Sequence, residues 1–101
     1  MLIDRVKEVI SERMLIHPED CFRIEHCWNK LTNLLSEDTQ KTIEVLKELD
    51  EEQVLYVSEV FEDIAYNLQS QDYINELEKL EKKFPNLNLA SFVATAKDFM
   101  N

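Results

Sequence analysis

The chain contains no glycine, and that absence excludes more than any motif includes. P-loops, dinucleotide-binding fingerprints and nucleophile elbows all need glycine where the backbone turns sharply or approaches a ligand. Two-residue hairpins, which favour Asn-Gly or Gly-X, are disfavoured on the same ground. Only two prolines interrupt the chain, so it reads as helices joined by short polar turns. Long apolar runs are missing too. The longest, Val54-Leu55-Tyr56-Val57, is far below the roughly 20 residues that span a bilayer. The start, Met-Leu-Ile-Asp-Arg-Val-Lys-Glu, mixes both charges along an amphipathic pattern, unlike a secretory signal. Two cysteines in one segment do not make a disulfide framework, and cytoplasmic residence is the expectation.

Basic residues are scarce as well. Eleven Lys and Arg stand against 21 Asp and Glu, a net charge of −10, which disfavours nucleic acid or anionic lipid as partners. The imbalance is local. Residues 1–36 carry five basic and six acidic side chains, a net of −1; residues 37–101 carry six and fifteen, a net of −9. No Lys or Arg lies between Lys47 and Lys79. A surface shaped only for solubility would mix the signs.

What is present is apolar spacing at the helical period, so the expected fold is all-α: one domain over 1–101, a compact bundle of five to six short antiparallel helices. Leu2, Ile3, Val6, Val9 and Ile10 mark a first helix fraying near Arg13, before the His17-Pro18 break. Cys21, Ile24, Trp28, Leu31 and Leu35 mark a second, its apolar face widened by Phe22 and Cys27. Ser36 is expected to cap a third, carrying Ile43, Leu46 and Leu49. Asp50-Glu51-Glu52-Gln53 has capping-box spacing. It opens a fourth helix with Val54, Val57, Phe61, Ile64 and Leu68 on one side. Tyr73, Ile74, Leu77, Leu80 and Phe84 form a fifth, stopped by Pro85. Asn88 caps a last helix that turns Leu89, Phe92, Val93, Ala96 and Phe99 inward.

On a helical wheel of about 100° per residue, the side of the fourth helix opposite its apolar stripe carries Glu52, Tyr56, Glu59, Asp63 and Tyr66, with Glu62 adjoining. Two tyrosines among carboxylates on a water-facing side have interface chemistry. Tyrosine gives a large rigid contact with a polar end, and carboxylates take charge-assisted hydrogen bonds from a partner's Lys or Arg. Glu52, Tyr56, Glu59, Glu62, Asp63 and Tyr66 are therefore the candidate partner-binding residues, against the plainer reading of a solvated acidic face.

Other chemistry has little support. His17, Cys21, His26 and Cys27 cluster in sequence, but Cys21 and Cys27 fall about 240° apart around a helix, unlike converging zinc ligands. Di-iron bundles point Glu-x-x-His motifs inward, and no such motif occurs. No nucleophile with an oriented base stands out. Trp28, on the apolar face, is read as core. The expectation is a protein without catalytic residues, metal or cofactor.

The run from Leu49-Asp50-Glu51-Glu52-Gln53 through Ser58-Glu59-Val60-Phe61-Glu62-Asp63-Ile64, then Leu68-Gln69-Ser70, Tyr73-Ile74, Leu80 and Phe84-Pro85, resembles small all-helical bacterial immunity proteins. These neutralise polymorphic toxins, including those of contact-dependent growth inhibition. The resemblance covers roughly residues 46–89, and its most specific element is the Ser58–Ile64 string. It implies a non-enzymatic monomer that binds one cognate toxin one-to-one. A basic, nuclease-type toxin would fit the acidic face. The alternative is a helical adaptor or self-associating regulator. For it the discriminating residues are Leu55, beside the acidic stripe, and Met14-Leu15-Ile16, in a turn without an evident core partner.

Overall fold

A computed structural model describes all 101 residues, Met1–Asn101. Seven α-helices follow one another: α1 (Leu2–Leu15), α2 (Cys21–Leu35), α3 (Thr39–Glu48), α4 (Glu51–Val57), α5 (Phe61–Leu68), α6 (Gln71–Lys83) and α7 (Ala90–Asp98). There are no strands. A 3₁₀ turn at Ser58–Val60 joins α4 to α5, and another at Pro85–Leu87 precedes α7. Counting α4, the turn and α5 as one interrupted rod gives six helical rods, so the all-α bundle anticipated from the spacing is what the chain forms. α1 lies against α2, α3 and α4, while α6 packs on α3, α5 and α7. No helix is long and apolar enough to cross a membrane.

Aspartates and a serine start the helices by accepting the first free backbone N–H groups. Asp20 accepts from Arg23 N at 3.3 Å and Asp38 from Lys41 N at 2.9 Å. Ser70 accepts from Tyr73 N at 3.2 Å. The capping box at Asp50 forms in both directions, Asp50 to Gln53 N at 2.8 Å and Gln53 to Asp50 N at 3.0 Å. Two expected caps are replaced. Asp38, not Ser36, begins α3, and the Ser36 hydroxyl instead accepts from Asn67 Nδ2 at 2.9 Å. Asn88 lies in the left-handed region at φ 54°, closing the second 3₁₀ turn, and Leu89 takes the cap position before α7 without a side-chain hydrogen bond.

One hydrophobic cluster takes residues from every helix, from Val6 and Ile10 on α1 to Val93 and Ala96 on α7. The radius of gyration of the whole chain, 12.5 Å, is that of a folded chain of this length, about 13 Å for 100 residues. The three buried hydroxyls are all satisfied: Thr42 donates to Leu35 O at 2.7 Å, Tyr73 to Phe61 O at 2.9 Å, and Ser58 to Leu55 O. Burial, and secondarily the negative charge of Asp63, raises the Tyr73 phenol well above its ordinary pKa.

The apolar stripes read from sequence hold through most of the chain and fail at named places. Cys21 and Phe22 are exposed at the start of α2, whereas Cys27 is buried. Phe92 and Phe99 are also exposed on α7 rather than inward. α1 continues to Leu15, past the expected fray at Arg13. Met14 and Ile16 pack against the core, while Leu15 stands out in solvent.

Without glycine, the left-handed residue that ends α5 is Gln69, at φ 47°. A side chain in that region costs roughly 1 kcal/mol or more. Its amide offsets this by donating to Tyr66 O at 2.9 Å and to Phe99 O at 2.8 Å, while its Oε1 accepts from Asn101 N at 2.7 Å. Gln69 thus ties the end of α7 to the end of α5, and that tether builds the site.

Candidate functional site

The wheel that put six candidate residues on one face assumes an unbroken helix. The break at Val60, whose backbone leaves helical geometry at φ −120° and ψ 13°, divides them instead into two groups with different surroundings.

The first group lies against α1. Glu59 does not look at water: its carboxylate takes a two-pronged contact from Arg13, Nε and Nη2 each at 2.9 Å, and a third hydrogen bond from Trp28 Nε1, also at 2.9 Å. Arg13 is only 13% exposed and Glu59 27%. The Arg13 guanidinium also lies over the Tyr56 ring, 5.1 Å from its centre, so Tyr56 is half-buried under a cation and packed on the core. Glu52, one turn earlier on α4, is exposed. The expected water-facing strip is therefore corrected at Glu59 and Tyr56. Both are engaged by Arg13, which lies 46 residues before Glu59 in sequence. Trp28 is corrected likewise, from plain core to a half-buried indole whose N–H orients that carboxylate.

The second group lies along the contact between α5 and α7. Tyr66 is 61% exposed and meets Phe99 edge to face, with ring centres 6.4 Å apart and planes at 90°. One turn back on α5, Glu62 lines a small cleft of about 190 Å3 with Ser58, Glu59, Ser91, Phe92 and Thr95. Asp63 is exposed beside it. Because α6 returns the chain between them, α5 and α7 run in the same direction. Glu62 and Tyr66 on one helix therefore accompany Phe92 and Phe99 on the other.

This seam combines three partly exposed aromatic rings with carboxylates, and no Lys or Arg is paired with Glu62 or Asp63. Lys97, on α7, is turned to Glu78 of α6 at 3.0 Å. The seam can therefore receive a cationic group over aromatic faces and offer it carboxylate acceptors. Sequence reasoning missed Phe92 and Phe99 as surface residues. From Leu89 to Phe99 seven of eleven residues are apolar, more than one inward face holds, and that excess is the signal that could have found them.

Other groupings are sparse. No three His, Cys, Asp or Glu side chains converge as metal ligands would. His17 accepts from Glu19 N at 3.1 Å as part of the turn. Burial raises the Cys27 thiol above its usual pKa, with Glu12 adding to the effect, so this is not an activated thiolate. The deepest ionic contact in the molecule is the Arg13–Glu59 pair, and the most exposed aromatic pair is Tyr66–Phe99. No protein-family model, no curated protein and no solved structure matches this chain.

Proposed function

We propose that the chain is an immunity protein that binds a basic toxin domain through the α5–α7 seam, one toxin domain per chain. The observation that carries this reading is the exposed Tyr66–Phe99 pair beside Glu62 and Asp63, carboxylates that no internal cation engages. Aromatic rings supply the desolvated centre of a contact, and unpaired carboxylates supply charge-assisted hydrogen bonds at its edge. The surrounding −9 of residues 37–101 speeds encounter with a positively charged partner. A toxin that cuts nucleic acid needs a basic cleft for phosphates, and carboxylates presented there occupy the same donors. The resemblance of residues 46–89 to bacterial immunity proteins supports the same class of partner.

The mechanism is then occlusion without chemistry. Glu62 and Asp63 meet the toxin's Lys and Arg, while Tyr66, Phe92 and Phe99 cover the apolar part of its surface. Glu59 contributes indirectly, by fixing the turn that orients α5. The test pairs the chain with the product of the adjacent gene, which this reading expects to be a basic toxin domain. Calorimetry should give a tight complex that weakens as salt rises. Glu62→Lys with Asp63→Lys and Tyr66→Ala should together cost more than about 2 kcal/mol of binding while leaving the fold intact. A combined loss below about 1 kcal/mol in the folded variant would place the contact elsewhere.

A further inference from the structure

The N-terminal end of the bundle has a second surface that the toxin reading does not use. Leu15 and Phe22 are 89% and 83% exposed, more than any other large apolar side chain except Met1. Both line one groove of about 380 Å3 between the end of α1 and the start of α2, with Ile16 and Cys27 as further apolar lining and Glu12 and Arg23 at its edge. Two strongly exposed apolar side chains lining one groove make a contiguous apolar patch, the feature that marks association surfaces.

Charge selects the partner. Residues 1–36 are nearly neutral at −1, while the rest of the chain carries −9. Two copies approaching through the acidic remainder repel, whereas this end can meet its own image at little electrostatic cost. The groove edge also carries both signs. Arg23 is held only by an exposed pair with Asp20 at 3.5 Å, and Glu12 by one with Lys30 at 3.3 Å. Exposed pairs of this kind are weak enough to exchange. Arg23 and Glu12 at one groove give the patch both signs, which a self-complementary two-fold contact can pair across copies.

We infer that this end binds a second copy of the chain, with Phe22 of each protomer entering the groove formed by Leu15, Ile16 and Cys27 of the other. The dimer interface shares no lining residue with the α5–α7 seam, so each chain still takes its own partner. It also stands independently of the toxin reading.

Sedimentation of the whole chain from about 1 to about 500 μM, the range in which modest interfaces assemble, tests this directly. The expected result is a species of twice the 12.0 kDa chain mass that grows with concentration. Phe22→Asp, shown to be folded by circular dichroism, should weaken that dimer at least about tenfold. Leu55→Asp, at a 41% exposed apolar position outside the groove, should leave it unchanged. A wild-type chain that stays at 12.0 kDa throughout overturns the inference. So does a dimer whose strength Phe22→Asp does not alter.

Discussion

Tyr56 with Glu59 and Tyr66 with Glu62 are the same pair of residue types on one helical rod, and the fold uses them in opposite ways. Upstream of the break at Val60, Arg13 takes both partners: its guanidinium covers the Tyr56 ring and grips Glu59. Downstream, the rings of α7 provide aromatic company and no cation arrives, so Glu62, Asp63 and Tyr66 remain at the surface. An acidic residue is available to a partner only where the rest of the chain has not already supplied the counter-charge. Local sequence shows the acids but not the distant arginine.

The largest effect expected from breaking this contrast lies at the upstream group. Arg13→Ala leaves the Glu59 carboxylate, mostly buried, without its cation. The stability lost should be about 2–4 kcal/mol, somewhat below the range for fully buried pairs because water reaches both groups. Urea unfolding followed by Trp28 fluorescence reads this directly. Glu59→Lys should be worse still, since it sets two cations together. A binding defect in that variant would therefore report unfolding rather than interface loss.

A smaller effect belongs to Tyr73. Tyr73→Phe removes the hydrogen bond to Phe61 O and should cost about 1 kcal/mol at neutral pH. Its phenol titrates higher in the folded than in the unfolded chain. The folded state therefore holds its proton longer, and stability falls as pH rises above the unfolded value of about 10. The wild type should lose stability more steeply than Tyr73→Phe in that alkaline window. Equal slopes would mean that this burial contributes nothing to the pH dependence.

The downstream group should be nearly indifferent to truncation in the free protein. Tyr66→Ala, at an exposed position, should change stability by about 0.5 kcal/mol or less, the ordinary range for surface sites. A loss comparable to that of Arg13→Ala would show that the seam is structural rather than free. The smallest perturbation contrasts the two cysteines. A thiol reagent should label exposed Cys21 quickly and buried Cys27 only upon unfolding, without a measurable change in fold.

The periodicity made most of the bundle legible. Val54, Val57, Phe61 and Ile64 are buried as their spacing requires, and the Asp50 capping box forms as written. The break at Val60 was hidden because the apolar spacing continues through it: Val57, Val60 and Phe61 are all buried, and the polar Ser58 and Glu59 between them suit an unbroken amphipathic helix equally well. Arg13 carried a readable signal. It lies three residues beyond Ile10 and seven beyond Val6, on the apolar face of α1, where a cation needs an internal anion. Which anion, 46 residues away, is a matter of tertiary packing. The exposed positions of Phe92 and Phe99 follow from α7 covering the bundle from one side only, which spacing alone does not reveal.

The central claim is that partners meet the seam between α5 and α7 and not the arginine-filled face of α4. Amide hydrogen exchange on a complex with the basic toxin domain proposed as partner tests it most directly. Added protection should appear over residues 61–68 and 90–99, with α1 and the start of α4 exchanging as in the free protein. Protection gained around Arg13 and Tyr56, with α5 and α7 unchanged, would contradict the account.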